Sequence, residues 1–195
     1  MVRMPLSNRN RRAEMGVGTL IIFIALLLVA AVAAGVLIQT AGTLQQRALT
    51  TGTQATGQIS TNAQVVEVSA EDGTGTMNNF SMIMKLAPGS GAIELDSVTL
   101  SFNLNNATQT LTYIGNGQVN GNTSNFATAY LQTGTNNQAG VLVRGDVIRI
   151  NFAASRGVTS GEDVRINFIP KTGTPTYTLF TVPDVISTQR VYLYP

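Results

Sequence analysis

Hydrophobic positions along the chain follow two regimes. From Met15 to Ile38 no charged residue occurs in 24 positions, and the run MGVGTLIIFIALLLVAAVAAGVLI is apolar on every side. As a helix it would span roughly 36 Å, enough to cross a hydrocarbon core of about 30 Å with some tilt. Beyond it Ile38, Ala41, Leu44, Ala48 and Leu49 recur at three- and four-residue spacing, a helical stripe. Ala, Leu, Gln and Arg favour continuation of the helix, whereas the interspersed Thr and Gly weaken it, so the pattern predicts that it fades between Gly57 and Asn62.

From about Gln64 the period changes to two. Val65–Val68, Ser81–Leu86, Leu95–Leu104 and Leu111–Ile114 read as strands, with a turn at Pro88-Gly89-Ser90-Gly91. Residues 115–138 are rich in Gly, Asn and Thr and read as a loop with at most one strand, at the short apolar stretch Phe126–Leu131. Val141–Val143 and Val147–Phe152 flank Arg144-Gly145-Asp146 like a hairpin, and Val164–Phe168, Tyr177–Val182 and Arg190–Tyr194 complete the set. Val98, Leu100, Phe102 and Leu104 share one face, as do Ile148, Ile150 and Phe152, and Val164, Ile166 and Phe168. The expected class is α+β: a long N-terminal hydrophobic α-helix, then an antiparallel, immunoglobulin-like β-sandwich over residues 63–195. No Cys…Trp…Cys signature accompanies it.

Composition narrows the chemistry. The chain has no Cys, His or Trp, which excludes disulfides, thiolate metal sites and catalysis by Cys or His. Charged residues make up 11% of it, so its water-facing surface is built from hydroxyls and amides, which suit strands and turns. The formal charge of +2 is concentrated at the start, in Arg3, Arg9, Arg11 and Arg12. Without residues 1–13, eight basic residues face ten acidic ones, a net charge of −2, and no basic patch for nucleic acid remains.

Arginines precede the apolar run and no charge follows it until Arg47, which orients the N-terminus to the cytoplasm. The run is too long for the apolar core of a secretory signal, although small residues at Ala33-Ala34-Gly35 would permit a cut there. The segment Arg11-Arg12-Ala13-Glu14-Met15-Gly16-Val17-Gly18-Thr19-Leu20-Ile21 closely resembles the start of archaeal flagellins, the archaellins, which carry a class III, type IV pilin-like signal. The resemblance continues through FIALLLVAAVAAGVLIQTAGTLQQRA and returns more weakly at Gly145-Asp146 and Val191–Pro195. It implies that a prepilin-like signal peptidase cuts between Ala13 and Glu14. Residues 1–13 would then be a leader and residues 14–62 a retained helix, first membrane anchor and then filament core. Gly16 becomes the third mature residue. Gly18 takes the fifth position, where bacterial type IV pilins typically carry Glu.

A helix apolar all round needs lipid or sibling helices around it, because each buried Leu or Ile is worth about 1.5–3 kcal/mol. Leu20, Phe23, Ile24, Leu27 and Leu28 are the expected core contacts. Ala30 with Ala34, and Ala31 with Gly35, form small-xxx-small faces for close approach. The sequons at Asn79, Asn106 and Asn122 number about what chance gives, yet glycosylation is common among archaellins, and Asn122 in the polar loop is the leading candidate. Glu71-Asp72 and Glu162-Asp163 suit solvated turns better than calcium, and Arg144-Gly145-Asp146 suits a turn better than an adhesion motif. No catalytic residue, metal ligand set, cofactor or small-molecule substrate is expected. The resemblance implies a self-polymerising, extracellular filament subunit for swimming, with or without paralogous subunits. An adhesive archaeal pilus subunit and a non-polymerising single-pass surface protein are the competing readings.

Overall fold

The computed structural model describes residues 9–71, 75–117, 122–186 and 188–195, and side chains from Met15 onward. It divides into two units, one ending at Thr53 and the other spanning Gln54–Pro195. A single helix, α1, runs from Arg9 to Ser60. Its threonines are accommodated because their hydroxyls donate to carbonyls one turn back: Thr40 to Leu37 O at 3.0 Å, Thr43 to Thr40 O at 2.9 Å and Thr53 to Thr50 O at 2.9 Å. Thr61 N donates to Gly57 O at 3.1 Å and closes the last turn.

The strands are β1 (Ala63–Glu71), β2 (Met77–Leu86), β3 (Ile93–Glu94), β4 (Thr99–Leu104), β5 (Ala107–Asn116), β6 (Asn125–Gln132), β7 (Val141–Leu142), β8 (Val147–Val158), β9 (Asp163–Ile169), β10 (Thr176–Thr181) and β11 (Arg190–Tyr194). Nine of them form one sheet in the order β10-β9-β4-β5-β6-β8-β2-β1-β11; β3 and β7 pair separately. Every pairing is antiparallel except β5–β6.

The sheet folds over itself. On β2 and β4, four places apart in the order, Phe80 and Phe102 lie with ring centroids 5.0 Å apart. A flat sheet would separate them by about 19 Å at the usual strand spacing. Two layers therefore face each other across the core, as in a sandwich, though one sheet supplies both. Phe152 on β8 completes the aromatic centre, 5.7 Å from Phe80 and 5.3 Å from Phe102. The three alternating sets read from the sequence on β4, β8 and β9 all point into this core.

Two local readings are corrected and a third, the strand allowed near Phe126, is sharpened. Leu95–Ser97 is a 3-10 turn, so the strand expected from Leu95 begins at Thr99. The stretch around Phe126 is a full strand that buries Phe126, Ala127 and Thr128 between β5 and β8. Arg144-Gly145-Asp146 is a turn but joins no hairpin, because β7 pairs with β3 while β8 pairs with β2 and β6. The Asp146 side chain accounts for this. It is buried and accepts from Gly134 N at 2.6 Å, Val143 N at 3.1 Å and Asn137 Nδ2 at 3.2 Å, which pins two loops together and redirects the chain. An adhesion motif needs that carboxylate in solvent.

Candidate assembly helix and its tether

The apolar half of α1 presents its side chains outward. Leu20, Phe23, Ile24, Leu27 and Leu28 are all exposed, Ile24 least at 48%. No residue of this stretch is buried within the chain, and its length and apolarity suffice to cross a membrane. Such a surface has no stable place in water. The small residues tell the same story. A Cβ added at Gly16, Gly18, Gly35 or Gly42 would meet nothing within 4 Å. Packing inside one chain therefore does not require these glycines, each of which costs a helix interior about 0.5–1 kcal/mol relative to Ala. Ala30, Ala31, Ala34 and Gly35 are exposed on the same helix, open to close approach by another.

The side chains of Arg11, Arg12, Ala13 and Glu14 lie outside the described residues; their backbone belongs to α1. Gly16 is described, and its carbonyl accepts the Thr19 hydroxyl at 2.9 Å.

Sequence reasoning missed the tether at the other end of α1. Ser90 Oγ donates to Asn62 O at 2.8 Å and accepts from Asn62 N at 3.0 Å. Thr174 N donates to the carbonyl of buried Thr61 at 2.9 Å, and Thr176 Oγ1 donates to Ala63 O at 2.7 Å. Gly173 makes that closure possible: its φ is +116°, and a Cβ there would fall 2.5 Å from Thr61 O. Gly173 sits in an ordinary Gly/Thr turn, Lys-Thr-Gly-Thr-Pro, so nothing in the pattern connects it with residues more than a hundred positions earlier.

The other candidate residues separate by burial. Asn106 is exposed in the β4–β5 turn. Asn122 is exposed, and its Oδ1 accepts from Ser124 N at 2.9 Å and Asn125 N at 2.8 Å, forming an Asx turn. Asn79 lies part-buried in β2 between β1 and β8, and its sequon partner Ser81 is buried. Glu162 is held by the Arg156 guanidinium and accepts from Thr159 N at 3.4 Å. The Arg156 hydrogen bond keeps its carboxyl below the usual range, against the opposing effect of burial. Asp163 accepts the Thr181 hydroxyl at 2.6 Å. Both acids of this pair thus have structural partners. Asp72 of the other pair lies outside the described residues, and among those described no cluster of three metal-ligating groups occurs.

Comparison with known proteins agrees with this geometry. Flagellin B1 of Thermoplasma volcanium is 46% identical over 112 residues, which cover 54% of this chain and less than half, 45%, of that protein. Flagellin A1 of Haloferax volcanii is 32% identical over 90% of this chain and 92% of its own length. The solved archaeal flagellum of Methanospirillum hungatei strain JF1 shares the fold with a TM-score of 0.69 and 20% identity, covering 92% of this chain and 99% of that one. The family described as archaeal-type flagellin matches residues 13–180. With an exposed apolar helix joined to a mostly antiparallel β-domain and these matches, the chain belongs to the archaeal-type flagellin family, a family of structural filament subunits and not of enzymes.

Proposed function

We propose that this chain is the subunit of an archaellum filament that drives swimming, made as a membrane-inserted precursor and polymerised outside the cell through its N-terminal helix. The observation that carries this is the run of exposed apolar side chains from Leu20 to Leu28, none of which is buried among the described residues. Lipid covers that surface first. Sibling helices cover it afterwards, with Ala30, Ala31, Ala34 and Gly35 at the close contacts. Rotation is supplied by a separate motor; the subunit contributes a stiff core of helices and an outer layer of β-domains.

In this reading a prepilin-type signal peptidase cuts between Ala13 and Glu14. Arg11 and Arg12 hold the precursor at the anionic inner surface, and their removal lowers the barrier to drawing the helix out of the membrane. The site lies in backbone that is helical here, so the peptidase unwinds a turn, which the nearby Gly16 and Gly18 ease. N-linked glycans, where present, fall on Asn106 and Asn122, which are exposed in turns; the buried Ser81 disfavours Asn79 once the sheet has formed.

N-terminal sequencing of purified surface filaments tests the proposal. A mature chain beginning at Glu14 is expected. One beginning at Met1, or after Ala34, overturns it. Gly16→Leu is expected to accumulate uncut precursor, and a strain lacking the chain is expected to lose swimming while keeping surface attachment.

A further inference from the structure

The face of β1, β2, β8 and β6 that points away from the aromatic core carries a polar recess. Register sets Ser69, Ser81, Asn151 and Ala127 in one row across the four strands. These short side chains lower the surface, and a cavity of about 190 Å³ opens beside them, walled by Glu71, Asn79, Arg149 and Asn151. Two polar atoms here have no partner. Ser81 Oγ and Arg149 Nε are both shielded from solvent and make no hydrogen bond, and Ser81 is only 6% exposed. Among the described residues no ion pair reaches Arg149. Glu71, on the rim, instead lies 3.9 Å from Arg190.

A guanidinium N–H shielded from water without an acceptor, as at Arg149 Nε, is unfavourable, and the planar fork matches a carboxylate. The same chain carries free carboxylates elsewhere. Glu94 and Asp96 are exposed on either side of buried Leu95, and among the described residues neither pairs with a cation. In a polymer of one chain, a contact that does not close into a ring joins two different patches of the surface. The unpartnered Arg149 Nε and Ser81 Oγ, beside a Glu71 carboxylate that already faces Arg190, offer donors to one further carboxylate, and the acidic knob supplies it.

We propose that the Arg149–Ser81 recess receives the Glu94–Asp96 knob of a second copy, an ionic contact between β-domains of neighbouring subunits. This rests on the filament reading above and adds to it a contact outside the helical core.

The test uses the full chain expressed in cells lacking their own copy. Arg149→Glu is expected to reduce filament yield about tenfold or more, as is Glu94→Lys with Asp96→Lys. All three together are expected to restore it to within about threefold. Thermal unfolding of each purified variant checks that the β-domain still folds. The chain has no cysteine, so Glu94→Cys with Asn151→Cys gives an independent readout. Oxidised filaments are expected to yield a ladder of linked chains on a denaturing gel, and each single cysteine variant none beyond a dimer. Arg149→Glu filaments as stable as the unaltered ones overturn the proposal, and so does the lack of a ladder. A glycan found on Asn79 also overturns it, because it would fill the recess. Failure of the unaltered chain to form filaments counts against the filament reading instead.

Discussion

At the scale of single residues, function and stability concentrate at positions whose types are common. Gly173 is one of 19 glycines, yet its positive φ and the nearness of Thr61 O leave no room for a side chain. Gly173→Val is therefore expected to destabilise the β-domain by about 2 kcal/mol or more, read as a lower urea midpoint at unchanged slope. Glu162 carries the pH dependence. Its folded pKa lies below the unfolded value, chiefly because Arg156 bonds the charged form. That contribution is complete above the unfolded pKa of about 4.3 and is lost as pH falls through the folded value. A melting temperature that drops on acidification below about pH 4 is expected, and Glu162→Gln should flatten that part of the curve. An unchanged curve would remove Glu162 from this role. The sequence offered Glu162 as a solvated turn residue or, less readily, a calcium ligand, because its partner Arg156 is set beside it only by the turn between β8 and β9.

Elements differ in how plainly they are written. Helix α1 was legible because twenty-four uncharged positions permit little else, and its threonines, which weaken it on propensity, are reconciled by local hydrogen bonds. The alternating strands β4, β8 and β9 were legible for the same reason: one face each is apolar, and the core takes that face. β6 was legible only in part, as one strand allowed within a polar loop, since Asn125, Thr128 and Gln132 give it a weak pattern and a parallel neighbour places it in the sheet interior. Within α1 the glycines have open space around them, so packing inside the chain does not call for them, and the proposed assembly does. Ala31→Leu with Gly35→Leu is expected to abolish filaments while leaving the β-domain's unfolding transition within about 0.5 kcal/mol of the original. Electron microscopy of cell surfaces and denaturation of the purified protein report the two halves of that prediction separately.

For the whole molecule, the division at Thr53 and Gln54 separates two kinds of burial. The β-domain completes its own core: Phe80, Phe102, Phe126, Phe152 and Phe168 are each at most 1% exposed. The apolar stretch of the helix is exposed along its length, and in the proposed function lipid or copies of the same helix cover it. Residues 54–195 expressed without the preceding segment are accordingly expected to be a folded monomer in buffer without detergent. Size-exclusion chromatography and a cooperative thermal transition would show it, and aggregation or a broad transition would count against an independent core. The full chain is expected to need detergent or to polymerise.

By itself the sequence determined the helix, its apolar surface, the change of period near Gln64 and the inward faces of the strongest strands. These follow from side-chain type at fixed spacing, which acts locally. Tertiary structure alone decided that one sheet folds over to supply both layers, that β7 leaves β8 for β3, that Thr61 is gripped from Gly173 and Thr174, and that Arg149 and Ser81 meet in an unsatisfied recess. Each of those joins residues distant along the chain through hydrogen bonds and register, and no local pattern encodes which distant partner a polar group will find.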